Sequence, residues 1–332
     1  MRKKVVKLLL ILVFILSLTS CNDFNLFNKD DNTTNSMNAS VVSKDEYLVT
    51  YICDNGIIKT QETKNKKAYC LEPSVNKYQK FLCWCTDFEL NNEFNFNTKL
   101  NTDLTLYAKY DIDYISLTND ISLKYMVYSV KLECSFKTIG FNSSTYLKIG
   151  SGVIINEDDT YYYALTNNHV IAKPDGYIQS SYTVKDCYEN EYAATLLYNL
   201  NTYDLALVKF KKDSNIQLAV IKFADSQPHN NETIISLGSP SGQDNCLTYG
   251  KYLKNIVFEP ILESKDISDV EFEVITHSAP ITNGSSGGPI INTNLELVGI
   301  NFASSTTKNG EFLYAYAIPI EKVKEFIQEA QI

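Results

Sequence analysis

The sequence predicts a mainly β protein, and three observations carry that expectation. Tyr47 to Tyr110 alternates apolar and polar residues in strand fashion. Beyond it, short β-prone runs follow one another at Ile121 to Phe136, Lys148 to Asn156, Tyr161 to Leu165 and Leu205 to Phe210. Helical spacing is read at the end of the chain, where Val323, Phe326, Ile327 and Ala330 share one face of Glu321 to Ile332. With 332 residues, 44% hydrophobic and 12% aromatic, the chain has material for a packed core and exceeds one average domain. Two domains are expected. The formal charge of −9 argues against nucleic acid as a partner, which would require a basic face.

The chain opens with Arg2, Lys3, Lys4 and Lys7 ahead of an apolar run through Leu16, too short for a confident membrane-spanning helix. This pattern reads as an export signal over residues 1–20. Its end, Leu18-Thr19-Ser20-Cys21, resembles a bacterial lipobox, which implies that Cys21 is lipidated and becomes the mature N-terminus. A single uncleaved anchor is the alternative. Both place the protein outside the cytoplasm and at a membrane. Residues 21–45 are rich in Asn, Asp, Ser and Thr with few apolar side chains, so burial cannot offset the entropy of ordering them. They read as a tether.

Residues 46–110 are expected to form a small separate module. The stretches Phe81-Leu82-Cys83-Trp84-Cys85-Thr86-Asp87, Glu93-Phe94-Asn95-Phe96 and Asp103-Leu104-Thr105-Leu106-Tyr107-Ala108-Lys109-Tyr110 resemble the internalin-type β-grasp repeat of bacterial surface proteins, present once. Where that family has Gly and Tyr this chain has Cys83 and Cys85. Trp84 is expected in the module's core, with stacking on carbohydrate as the alternative. Spacing or adhesion is the implied job. Apart from Cys21 there are seven cysteines, an odd number, so at least one thiol stays free within a single chain. Export permits disulfides, and Cys53 with Cys70, or a pairing to Cys83 or Cys85, is conceivable. Cys83 and Cys85 share a strand face near the upper limit of bridging distance and are not expected to bond each other. With no histidine nearby, no metal site is expected.

A linker over residues 111–120 leads to the second domain, 121–332. Its focus is Asn283-Gly284-Ser285-Ser286-Gly287-Gly288-Pro289, where a hydroxyl sits among glycines that bend the backbone as other residues cannot. Ser286 is the candidate nucleophile, and the backbone N–H groups of Gly284 and Ser286 are placed to converge as an oxyanion hole. Upstream lie Leu165-Thr166-Asn167-Asn168-His169-Val170 and then Tyr203-Asp204-Leu205-Ala206, giving the order His, Asp, Ser. His169 follows a strand and Asp204 opens a buried one, so loops on a rigid sheet hold both.

These motifs, together with Gly150-Ser151-Gly152-Val153-Ile154, resemble the trypsin-like serine proteases and most closely their HtrA/Deg branch. The likeness covers roughly Ile121 to the end, including Val298-Gly299-Ile300-Asn301, Tyr316-Ala317-Ile318-Pro319 and a turn within Ile234 to Gly242. It implies a chymotrypsin-like fold of two six-stranded β-barrels closed by the C-terminal helix. It also implies a serine endopeptidase with His169, Asp204 and Ser286 as its triad, acting on proteins or peptides in quality control or processing, without cofactor. His277, Pro280, Ile281, Asn301 and Phe302 are expected near substrate, and His229 in a solvated loop. Because Ala279-Pro280-Ile281-Thr282 offers no carboxylate, an apolar, small to medium residue before the cut is expected, with His277 leaving room for an acidic one. Ser285 stands where digestive relatives carry the aspartate that receives a new N-terminus, so no activating cleavage is expected. No PDZ domain is expected behind the helix. The rival reading is a surface adhesin whose protease-like domain is inactive.

Overall fold

Four short strands open the described part of the chain: β1 (Leu48–Ile52), β2 (Ile58–Glu62), β3 (Gln79–Cys85) and β4 (Leu104–Ile112). The computed structural model describes residues 46–53, 58–229, 231–243, 246–258 and 270–332. The export signal, Cys21 and the tether lie outside the described residues. The strands form a mixed sheet in the order β2-β1-β4-β3, with β1 and β4 parallel at its centre and antiparallel partners on both edges. Alternation on β1 decides which face is inside: Val49 and Tyr51 are buried while Leu48 is exposed. Trp84 is the core residue of this sheet. It is 1% exposed, packs edge-on against Tyr51 at 4.9 Å between ring centroids, and donates its indole N–H to the Leu71 carbonyl at 2.7 Å. A ring buried in this way offers no face to a sugar. Residues 63–78, between β2 and β3, carry no helix. No disulfide joins the seven described cysteines, and Cys83 and Cys85 sit on one side of β3 with their sulfurs 3.9 Å apart.

The stretch between this sheet and the first barrel is structured. Asp113 caps helix α1 (Tyr114–Asp120) by accepting from the Ser116 N–H at 3.0 Å. Ile121 to Tyr128, expected as the start of a strand, instead continue as one π-type and one 3₁₀ turn. The run is apolar without clean alternation, and such a run is buried equally well by a helical turn, so periodicity cannot separate the two. Leu117 and Ile121 are fully buried, and Tyr78 joins them while its hydroxyl donates to Asp120 at 2.9 Å.

Two closed six-stranded barrels follow. The first contains β5 (Ser129–Lys137), β6 (Thr145–Glu157), β7 (Tyr161–Thr166), β8 (Gln179–Lys185), β9 (Glu191–Leu200) and β10 (Leu205–Lys211), in the order β10-β7-β6-β5-β8-β9. A one-turn helix α2 (Asn168–Ile171) follows β7. The second contains β11 (Thr233–Gly238), β12 (Cys246–Val257), β13 (Glu273–His277), β14 (Pro289–Ile291), β15 (Leu297–Thr306) and β16 (Phe312–Pro319), in the order β11-β12-β13-β16-β15-β14. Closure leaves neither barrel with an unpaired sheet edge. Leu132, Phe136, Ile154, Leu165 and Phe210 fill the first, and Leu237, Ile300 and Ile318 belong to the same continuous core.

Helix α3 (Ile320–Ala330) closes the chain with the apolar face its spacing predicts: Ile320, Val323 and Phe326 are fully buried. It leaves the second barrel and packs back on the first, where Phe326 meets Tyr198 and Tyr203 at ring distances of 5.5 and 6.1 Å. The Tyr203 hydroxyl reaches Glu325 and Glu329 on the same helix. This places a brace beside Asp204.

Candidate active site

The loop that carries the candidate nucleophile Ser286 is held at the seam between the barrels. Gly284 has φ +95° and Gly287 φ +85°, a region L side chains avoid. A Cβ on Gly284 would lie 2.4 Å from the Ser239 carbonyl oxygen, and one on Gly287 would lie 2.1 Å from that of Ser151. Only glycine fits either position. Ser151 on β6 supplies the opposing clamp: its N–H donates to the Ser286 carbonyl at 2.7 Å and its hydroxyl to the Gly284 carbonyl at 2.7 Å. The same hydroxyl accepts the Ser239 N–H at 2.8 Å, so one fully buried side chain ties both barrels to the loop. Within the loop the Ser285 N–H donates to the Thr282 carbonyl and the Gly288 N–H to that of Ser285. The N–H groups of Gly284 and Ser286 donate to no protein acceptor among the described residues. Ser286 Oγ lies 3.5 Å from the Phe302 carbonyl oxygen.

His169 stands on α2, directly behind β7, and Asp204 immediately precedes β10, the neighbour of β7 in the barrel. Asp204 adopts φ +50°, a strained geometry that aspartate tolerates better than most residues. Its carbonyl is held there by the Asn167 side chain at 2.9 Å and the Asn168 N–H at 3.1 Å. Its carboxylate is fully buried and receives two donors from His169: the backbone N–H at 2.9 Å on Oδ1 and Nδ1 at 2.8 Å on Oδ2. That pairing keeps the Nδ1 proton on the Asp204 side and leaves Nε2 as the acceptor. His169 and Ser286 line one cleft with Tyr146 to Ile149, Val170, Ser241, Gly242, Asn283 and Gly284.

Residues 150–300 match the trypsin-like peptidase domain. The matched stretch contains His169, Asp204 and Ser286, and residues 47–109 separately match the Listeria-Bacteroides repeat domain. The chain is 33% identical over 192 residues to a probable periplasmic serine protease do/HhoA-like of Haemophilus influenzae, covering 57% of this chain and 38% of that protein. It is 31% identical over 181 residues to the serine protease Do-like HtrA of Bacillus subtilis, covering 54% and 38% respectively. The chain thus spans well under half the length of these relatives. The crystal structure of the Rv3671c protease from M. tuberculosis, active form, superposes with TM-score 0.51 at 20% identity, covering 65% of this chain and 86% of that one, which shows the shared fold.

The residues expected near substrate separate in the structure. Phe302 is close, through its carbonyl, and its ring packs with those of Phe258 and Tyr316 at 4.9 and 6.1 Å. Pro280 is exposed and Ile281 buried beside the loop. His277 and the Asn301 side chain are fully buried inside the second barrel and line no part of the cleft, while the Asn301 main chain joins the Ser286 loop, its carbonyl accepting the Gly287 N–H and its N–H donating to the Gly288 carbonyl, each at 2.9 Å. The burial is sustained by a chain of hydrogen bonds, with His277 Nε2 on Asn301 Oδ1 at 2.9 Å and Asn301 Nδ2 on the Ser236 hydroxyl at 2.8 Å. His229, expected in solvent, is half-buried, and burial lowers its pKa. The Ser151 clamp and the wall Tyr146 to Ile149 join the site only in the structure. The one sequence signal for Ser151 is a hydroxyl between two glycines on a core strand.

Burial pushes the His277 imidazole down to about 4, and its Nδ1 has no partner among the described residues. The unfolded chain therefore binds a proton near pH 6.5 that the native state refuses until about pH 4, so this stability is present above 6.5 and is lost as pH falls. Between about pH 7.5 and about pH 5 the loss is roughly 2 kcal/mol. Urea unfolding at the two pH values should show this drop in the wild type and a smaller one in His277→Gln. Equal drops in both would show that His277 does not titrate in this way.

Proposed function

We propose that the chain is an exported, membrane-anchored serine endopeptidase in which Ser286 is the nucleophile, His169 the base and Asp204 the orienting carboxylate. The observation that carries the reading is the 2.8 Å bond between His169 and the buried Asp204 carboxylate, with His169 opening on the cleft that also holds Ser286. His169 Nε2 takes the Ser286 proton as Oγ attacks the scissile carbonyl, and the negative charge that develops on oxygen is met by the Gly284 and Ser286 N–H groups. Collapse of the tetrahedral intermediate breaks the C–N bond, and His169 returns its proton to the leaving amine. Water then enters, His169 removes a proton from it, and hydrolysis of the acyl ester frees Ser286. No cofactor takes part. Substrates are proteins or peptides, in extracytoplasmic quality control or processing, and the relatives named periplasmic serine proteases support that placing. A fluorophosphonate probe tests the reading: it should label the wild type and not Ser286→Ala. An unlabelled, folded wild type would favour the adhesin alternative.

The site is ordered without a new N-terminus. Ser285 is 3% exposed and its hydroxyl accepts the Thr282 N–H at 3.3 Å, so the position offers no charge to a buried ammonium. An unpaired ammonium there would cost several kcal/mol. A chain from Asn22 with an N-terminal tag, verified intact by mass spectrometry, is expected to be labelled at Ser286. Labelling that appears only after cleavage near the first barrel would overturn this.

The anchor belongs to the same proposal. Cys21→Ser is expected to abolish incorporation of a fatty-acid label and to shift the protein from the membrane to the soluble extracytoplasmic fraction. Unchanged incorporation would overturn the lipidation at Cys21.

A further inference from the structure

Where β12 pairs with β13 its register shifts between Tyr252 and Lys254, and Leu253 between them is 40% exposed. A bulge of this kind turns side chains out of the regular pattern of the sheet. Two bonds fix it: the Thr276 hydroxyl donates to the Lys254 carbonyl at 2.7 Å, and the Tyr252 hydroxyl donates to Asn255 Oδ1 at 3.0 Å. The turn that follows β3 is equally preformed. Its Asp87 carboxylate accepts the N–H groups of Asn91 and Asn92 at 3.0 and 2.7 Å, and Lys109 Nζ donates to the Leu90 carbonyl at 3.0 Å. Phe88, carried on that turn, packs edge-on against Tyr107 with ring centroids 6.2 Å apart. The turn and the bulge together line a cavity of about 440 Å³, which shares no residue with the cleft of His169 and Ser286.

The lining of this cavity is mostly apolar, with Phe88 from the turn, Ile256 from β12 and Tyr314 from β16, whose ring is held against Tyr316 at 5.3 Å. Three polar side chains join them: the Glu89 carboxylate, the Lys254 ammonium and the Asn231 amide. None of the three makes a side-chain hydrogen bond or ion pair among the described residues. Apolar walls with a few unspent polar groups are the usual make-up of a small-molecule site, and this volume lies within the usual range. We propose that the cavity binds short peptides with both termini free and apolar side chains. The ammonium of such a peptide meets Glu89 and its carboxylate meets Lys254. Its peptide group pairs with Asn231, which offers both a donor and an acceptor, and its side chains lie against Phe88, Ile256 and Tyr314. An internal stretch of polypeptide lacks the two terminal charges, and a fatty acid leaves Glu89 without a cation. Such peptides are what the hydrolysis proposed above releases, so this source rests on that reading while the site itself does not.

Titration calorimetry at low salt tests the site on the chain from Asn22 carrying Ser286→Ala, where the ligand is not turned over. Phenylalanyl-leucine should bind at least about tenfold more tightly than glycyl-glycine, the scale set by burying one large side chain. Acetylating its amine, or converting its carboxylate to the amide, should each weaken binding about two- to fivefold, the contribution of an exposed charge pair. Adding Lys254→Met should make the acid and the amide bind equally, and adding Glu89→Gln should do the same for the free and acetylated amine. Lys308→Met, exposed and outside the cavity lining, should preserve both differences. All three substitutions lie at exposed positions and should leave the melting temperature within a few degrees. The proposal is overturned by the absence of saturable binding of phenylalanyl-leucine, by equal binding of the peptide blocked at both ends, or by an acid-over-amide preference that persists in Lys254→Met. Failure of the wild type to take up the fluorophosphonate probe overturns the reading of Ser286 instead and leaves this site standing.

Discussion

Ser286→Ala is expected to lower kcat by roughly 10⁴–10⁶-fold, and His169→Ala by a similar factor, because the members of such a triad act as a unit. Neither loss should come from unfolding. The Ser286 hydroxyl makes one long contact, 3.5 Å to Phe302, and the loop is held instead by main-chain bonds from Ser151, Ser285 and Gly288. Removing that oxygen should move the melting temperature by no more than a few degrees. Ser285→Ala is the control for register: its hydroxyl accepts a 3.3 Å bond from Thr282, so activity should change little. Active-site labelling and peptide turnover read both. If Ser285→Ala abolished labelling and Ser286→Ala did not, the nucleophile would be the neighbouring serine.

The parts of this site that are legible in the sequence are those whose local backbone demands are written into a few adjacent residues. Gly284 and Gly287 announce a loop that no other residue can enter, and the structure gives them positive φ with no room for a Cβ. Leu165 to Val170 reads as a strand ending on a polar turn, which is how β7 and α2 deliver His169. Other features depend on partners distant in the chain. The first barrel closes partly through β5 and β8, pairing Lys131 with Lys185, and no local signal sets that register. His277 has no local pattern that marks it as an interior residue, and its burial depends on Asn301 from β15. Leu147 and Ile149 look like ordinary strand residues until the cleft leaves them uncovered. Ile121 to Tyr128 illustrate the remaining ambiguity, since an apolar run is satisfied by burial in either a strand or a helical turn.

Asp204→Asn is expected to lower kcat by about 10⁴-fold near neutral pH, with the fold intact. The carboxylate accepts two donors from the same residue, the His169 backbone N–H and Nδ1. An amide has one oxygen for these two places. If that oxygen keeps the backbone N–H, its NH₂ group faces Nδ1, which must then act as acceptor, and the ring proton moves to Nε2. His169 can no longer take the Ser286 proton. The opposite rotamer sets NH₂ against a backbone N–H in a fully buried position, where an unpaired donor costs about 1–3 kcal/mol, so the damaging tautomer is the favoured outcome. Nitrogen-15 shifts of the His169 ring should report the exchange of tautomers, and kcat should fall without a matching rise in KM. The double variant Asp204→Asn/Ser286→Ala should be no slower than Ser286→Ala alone, because without the nucleophile the tautomer has nothing to serve. Additive losses, or near wild-type turnover in Asp204→Asn, would show that Asp204 holds the loop and does not set the proton on His169.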